Sequence, residues 1–132
     1  MLTIEKYVPT THKRVWGEEI FVAQTDDYLG KVLRMRAGTA GGLQLHRRKD
    51  ETFHLWSGEA YVDYDLDGDL VRVKMVAGES YRIPPGAPHR VEAITDCVFF
   101  ETGNAVYDDR QRLEEHYDVP VIGDAYGLPT TQ

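Results

Sequence analysis

The chain has 132 residues, a net charge of −7 and one cysteine, Cys97, so no intrachain disulfide can form. That length suits one domain able to bury a core without staples. The acidic balance argues against a nucleic-acid or membrane-surface role, because both want basic patches.

The chain opens Met1-Leu2-Thr3-Ile4-Glu5-Lys6, which lacks a signal-peptide core. No run approaches the ~20 apolar residues of a membrane span. A cytoplasmic location is therefore expected. Short alternating apolar runs then follow in sequence. Glu19–Ala23, Gly30–Arg36, Leu43–His46, Thr52–Trp56, Ala60–Tyr64, Leu70–Val76, Ser80–Ile83, His89–Ile94 and Cys97–Glu101 read as strands. Turn residues separate them at Ala37-Gly38, Ser57-Gly58, Asp67-Gly68-Asp69, Ala77-Gly78 and Pro84-Pro85-Gly86. Many short strands at this spacing predict an all-β sandwich, barrel or jelly roll.

Asp67-Gly68 suits a tight hairpin, since type I′ turns need residues that tolerate positive φ. Asp65 and Asp69 resemble part of a calcium loop, but no glutamate follows at the required spacing, so a solvated tip is expected. Cys97 lies in an apolar run and reads as a small core residue. A helix is predicted from about Asp109 to Tyr117, capped by Asp108 with Gln111 closing a capping box. Leu113 and Tyr117 then share the face packed on the sheet. The tail, 119–132, is expected to wrap the surface.

Chemistry concentrates in two stretches. The first is Gly38-x5-Gln44-x-His46-x4-Glu51-x6-Gly58, and the second is Gly78-x5-Pro84-x-Gly86-x2-His89. Strand alternation sets Gln44 and His46 on one face. Glu51 returns to that face after the Arg47–Asp50 turn, and His89 joins it from a third strand. Two imidazoles, a carboxylate and an amide oxygen suit zinc, manganese, iron, nickel or cobalt better than a thiolate-seeking metal. Singly, each of these residues has an ordinary structural reading; the joint spacing is what points to a metal.

These stretches resemble the paired motifs of the cupin superfamily, with Gln44 where the first motif has a histidine and Ala93 where the second ends in asparagine. A Gln-x-His pair is similar to the phosphomannose-isomerase branch. Arg14-Val15-Trp16-Gly17, Ser57-Gly58-Glu59-Ala60, Ile83–His89 and Phe100-Glu101-Thr102-Gly103 resemble segments of the isomerase domain of type II mannose-6-phosphate isomerases. The likeness covers about residues 14 to 118. It implies a cupin-type double-stranded β-helix (a jelly-roll barrel) with one short C-terminal helix. It also implies a divalent metal, zinc first, held by Gln44, His46, Glu51 and His89. The implied substrate is a sugar or sugar phosphate undergoing aldose–ketose proton transfer. A homodimer is implied as well, with Leu2–Val8 as the suspected pairing segment.

Glu101, Tyr61 and Tyr81 are candidate catalytic groups along the barrel. Arg48 is a candidate clamp for phosphate or carboxylate, against a reading of Arg47-Arg48-Lys49 as a solvated turn. His54 has the wrong parity for the site, and Arg90 should face outward. Two further readings are an iron-dependent oxygenase, which Gln44 weakens, and a non-catalytic carbohydrate-binding cupin.

Overall fold

Runs in which every second residue is apolar can bury one face only as strands. A computed structural model describes residues 2–107 and 109–121, and within them lie eleven strands and one short helix. In chain order the strands are β1 (Thr10–Arg14), β2 (Gly17–Gln24), β3 (Tyr28–Met35), β4 (Gln44–His46), β5 (Glu51–Ser57) and β6 (Ala60–Leu66). They continue as β7 (Asp69–Met75), β8 (Ser80–Ile83), β9 (His89–Ala93), β10 (Cys97–Asn104) and β11 (Arg110–Arg112), followed by α1 (Glu114–Tyr117).

The strands form two antiparallel sheets. One has the order β1-β2-β3-β10-β5-β8 and the other β11-β4-β9-β6-β7. The inner faces meet in one apolar cluster. Leu33, Met35, Phe53, Leu55 and Phe99 come from the first sheet, and Ala60, Val62, Met75 and Ala93 from the second. This is the all-β jelly roll that the strand spacing predicts. Phe53 and Phe99 meet edge to face at 6.1 Å, the arrangement that ring quadrupoles favour. Among the described residues no helix is long and apolar enough to cross a membrane.

The β6–β7 hairpin closes through Asp67 (φ 54°) and Gly68 (φ 93°), both left-handed as a type I′ turn requires. Asp65 accepts the Gly68 N–H at 3.0 Å, so its carboxylate serves the turn. Cys97 is buried and donates its thiol to the Glu59 carbonyl.

Two local readings near the C-terminal helix change. Residues expected to begin a helix at Asp109 instead form β11, which pairs Arg112 with Gln44 and Arg110 with His46. The helix keeps only Glu114–Tyr117, and no side chain caps it at Leu113. Local helix signals are weak beside an open sheet edge. Gln111, expected in a capping box, accepts instead from Arg47 at 3.3 Å, and the proposed cap Asp108 lies outside the described residues, as does 122–132. Leu113 is buried, and Tyr117 donates its hydroxyl to Asp65 at 2.5 Å. Leu2–Val8 forms no strand, and Leu2, Ile4 and Val8 stand exposed. The first edge strand is β1, whose polar sequence carries no apolar alternation.

Between β2 and β3 the interior is ionic. Glu19 is fully buried and takes the ammonium of Lys31 at 3.0 Å and the guanidinium of Arg14 at 2.7 Å. Burial alone would raise the Glu19 pKa, but Lys31 and Arg14 outweigh it and hold the carboxyl down at about 2. An unfolded glutamate titrates near 4.3. Glu19 therefore stabilises the fold above that value and loses its contribution as pH falls toward 2. Glu19→Gln is expected to lower the unfolding free energy at pH 7 by about 3 kcal/mol. The deficit should shrink at pH 3, as urea denaturation at the two pH values would show; an equal deficit at both defeats the assignment.

Candidate metal centre

The β4 backbone turns Gln44 and His46 inward, and both are buried. β9 runs antiparallel beside it with His89 opposite Gln44. The turn before β9 is tied to β4 directly, because Gly86 donates its N–H to the His46 carbonyl at 2.6 Å. Gly86 sits at φ 87°, a backbone that a side chain would strain. Glu51 opens β5 opposite Gly103, where an added Cβ would lie 2.7 Å from the Asp50 carbonyl oxygen. The missing side chain at 103 lets the chain carry Glu51 inward.

Each imidazole has its Nδ1 committed. His46 Nδ1 lies 3.1 Å from an Asp109 carboxylate oxygen, and His89 Nδ1 lies 3.0 Å from the Ala87 carbonyl. Both partners only accept, so each Nδ1 carries the hydrogen and each Nε2 presents a lone pair. Those lone pairs face Glu51 Oε1, at 3.6 Å from His46 and 3.3 Å from His89. His46 Nε2 and Gln44 Oε1 are buried without a hydrogen-bond partner in the structure. With each hydrogen at Nδ1, the two Nε2 lone pairs converge on a carboxylate oxygen with no donor between them, an arrangement that repels itself unless a proton or a metal cation sits there. Donors held ~2.1 Å from an ion at ordinary coordination angles are themselves about 3–3.5 Å apart. The Glu51–His89 spacing falls in that range and the Glu51–His46 spacing lies just beyond it. Histidine, glutamate and histidine ligand atoms lie within 4.8 Å of one another, so His46, Glu51 and His89 could hold a metal ion.

Electrostatics prepare the same state. Burial lowers the His46 pKa, with Lys49 and His89 adding to it against Glu51 and Asp109, so a proton is a poor filler for the gap. Burial alone would raise the Glu51 pKa, but His89 and His46 when they carry a proton, and Lys49 throughout, hold the carboxyl far below the usual range. Asp109 accepts the backbone N–H groups of Arg48 and Lys49 at 2.6 and 2.9 Å, which fixes it against His46.

Beside the histidines the charge pattern continues. Lys49 is buried, with its ammonium 2.9 Å from Glu51 Oε2 and 3.2 Å from Glu101 Oε2. Lys31 reaches the same Glu101 oxygen at 3.5 Å. Burial would lower the Lys49 pKa, but Glu101 and Glu51 outweigh it and raise the value. Glu101 Oε2 is occupied by both lysines, which leaves Oε1 for the cavity that Glu101 lines. That cavity encloses about 480 Å³ of empty space, counting its open mouth, and Gln44, Glu51 and His89 line it too.

The structure therefore brings Gln44, His46, Glu51, His89 and Glu101 together. Tyr81 faces inward but stacks on Phe53 at 6.3 Å and does not line the cavity. Tyr61 lies on the other face, beneath the Arg72 guanidinium at 4.5 Å. Arg48 is exposed on the turn after β4, because the strand ends at His46 and its parity with it. His54 faces away, hydrogen-bonded to Ser80 and stacked on Phe100. Arg90, expected to face outward, is instead buried at the cavity wall and paired with Asp63 at 3.1 Å. The sequence reading missed Lys49, Lys31 and Asp109. Lys49 lies on the turn two residues before Glu51, and the two arginines beside it made that turn read as solvated.

A family model described as "Cupin domain" matches residues 31–103. Comparison with curated proteins found no match. Among solved structures, capsular polysaccharide assembling protein CapF from Staphylococcus aureus is similar at 24% identity and a TM-score of 0.70, over 81% of this chain and 33% of that one. Oxalate decarboxylase from Bacillus subtilis is similar at 16% identity and a TM-score of 0.70, over 85% of this chain and 35% of that one. KdgF from Halomonas sp. is similar at 22% identity and a TM-score of 0.59, over 69% of this chain and 80% of that one. The chain thus spans about a third of CapF and of the decarboxylase, and at these identities the likeness is one of fold.

Removing Lys49 leaves two buried carboxylates without their shared cation. Lys49→Met is expected to lower the unfolding free energy by about 3–5 kcal/mol at neutral pH. Chemical denaturation measures this, and a loss under 1 kcal/mol would mean that Lys49 is not held between the two glutamates.

Proposed function

The chain belongs to the cupin family, and we propose that it is a divalent-metal-dependent enzyme of the isomerase type. The observation that carries this reading is the set of converging lone pairs around Glu51 Oε1. Gln44, His46, Glu51 and His89 would hold the ion, with zinc first and manganese, iron, nickel or cobalt as alternatives. When bound, such an ion polarises a carbonyl oxygen and stabilises the charge that develops there.

The chain's own residues supply the rest. Asp109 and the Ala87 carbonyl fix the two imidazoles through their Nδ1–H groups. Lys49 restrains Glu51 Oε2, which leaves Oε1 toward the histidines. Glu101 is the proton carrier: its Oε1 takes the proton from the hydroxyl-bearing carbon beside the substrate carbonyl, the hydroxyl proton passes to the former carbonyl oxygen, and the resulting Glu101 acid gives its proton to the former carbonyl carbon as the other carbon becomes the carbonyl. No net charge or atom is gained or lost. Substrates of this kind are α-hydroxy carbonyl compounds, sugars among them. A phosphate group finds less support, because Arg48 stands on the exposed turn and the cavity's Arg90 is engaged with Asp63.

Protein purified without chelator is expected to carry about one divalent ion per chain by elemental analysis. His89→Ala and Gln44→Ala should reduce that content, while Asp109→Ala should weaken zinc affinity about 10–100-fold. Metal-free wild-type protein that takes up no zinc in calorimetry would sink the proposal. For the chemistry, a panel of α-hydroxy carbonyl compounds, with mannose 6-phosphate and fructose 6-phosphate included, is incubated in D2O and followed by NMR. At least one should gain deuterium beside its carbonyl, and Glu101→Gln should slow that exchange at least 100-fold. Exchange unchanged in Glu101→Gln removes Glu101 from the role.

A further inference from the structure

The walls of the cavity are not those of a polyol site. Away from the metal-side residues it is lined by Trp16, Leu33, Met35, Phe53, Val91 and Phe99. The other charged side chain in the lining, Arg90, is already committed to Asp63. A sugar carries a hydroxyl on nearly every carbon. Against these walls each buried hydroxyl would lose its water without finding a partner, which penalises binding several-fold or more per hydroxyl. An apolar body gains from the same contact.

Charge narrows the ligand further. The carboxylates of Glu19, Glu51 and Glu101 are matched by the cations of Arg14, Lys31 and Lys49. Among the described residues that leaves Asp109 as the carboxylate against His46 without a cation in this ladder. A dication at the histidines exceeds that one negative charge by one. A low-dielectric cavity then favours a ligand that brings a single negative charge over a neutral or a doubly charged one.

From these two observations we infer that the site takes a singly charged, oxygen-chelating acid with an apolar tail, namely a 2-hydroxy or 2-oxo monocarboxylate. The carboxylate and the neighbouring oxygen lie at the Gln44, Glu51 and His89 end, beside Glu101. The tail lies against Leu33, Met35 and Phe99. This rests on the metal reading above and not on the isomerase chemistry, and it names the ligand class of that site.

The test is calorimetric titration of zinc-loaded wild-type protein at neutral pH. The probes are glycolate, 2-hydroxybutyrate and 2-hydroxy-4-methylpentanoate, with mannose, mannose 6-phosphate and oxalate beside them. Affinity should rise about 3–4-fold per added methylene along the hydroxy-acid series. The longest should bind at least tenfold tighter than mannose, mannose 6-phosphate or oxalate. Metal-stripped protein should lose the series. Zinc binding with no dependence on tail length, or with the sugar, its phosphate or oxalate bound as tightly, overturns the inference and leaves the metal reading intact. Failure of zinc itself to bind overturns both.

Discussion

A ladder of alternating charge runs through the interior from Glu19 through Lys31, Glu101 and Lys49 to Glu51, and every member is buried. None of these groups is tolerable there alone, because an unpaired buried charge costs several kcal/mol. Each is acceptable only because its neighbours are in place. The ladder joins β2, β3, β10 and β5, so the arrangement of the first sheet and the orientation of Glu51 are parts of one constraint. Apolar packing between the sheets supplies bulk stability. The ladder decides which carboxylate oxygen points at the histidines.

The same constraint divides the interior into two unlike halves. On the side of Met75, Leu55 and Ala60 the two sheets meet through apolar side chains. Toward Glu51 the polar groups are dense, yet each is held by a named partner or faces the gap between the imidazoles. The cavity lies between these halves, with both kinds of surface in its wall. A ligand there would meet fixed dipoles and charges at one end and hydrocarbon at the other. That asymmetry orients a small molecule without any loop having to close over it.

Much of this was legible in the sequence, for a physical reason. Period-two alternation survives in any strand with one buried face, so the nine strands read from sequence recur in the structure with ends shifted by a few residues. Gln44, His46, Glu51 and His89 were legible because fixed spacing within strands fixes side-chain direction. What escaped was non-local. β11 exists because β4 offers an edge, and its own sequence, Arg110-Gln111-Arg112, says nothing of that. Lys49 looked solvated between Arg48 and Asp50, since its burial depends on Glu101, fifty-two residues away, as well as on Glu51. Asp109 was read as the start of a helix, when its role is to hold His46 from sixty-three residues away.

Those separations also bear on how the molecule comes to be. The hydrogen bond from Gly86 to His46 and the contact between Asp109 and His46 close long stretches of chain. Closing them spends chain entropy well before the contacts return it. The β6–β7 hairpin, with its two-residue turn, can form early on local signals alone, whereas His89 meets Glu51 only once β9 has docked and Lys49 meets Glu101 only once β10 has. The interior is therefore assembled last where it is most charged. Until then Lys49 and its two carboxylates stay hydrated, and their desolvation falls at the slow, final stage of the search.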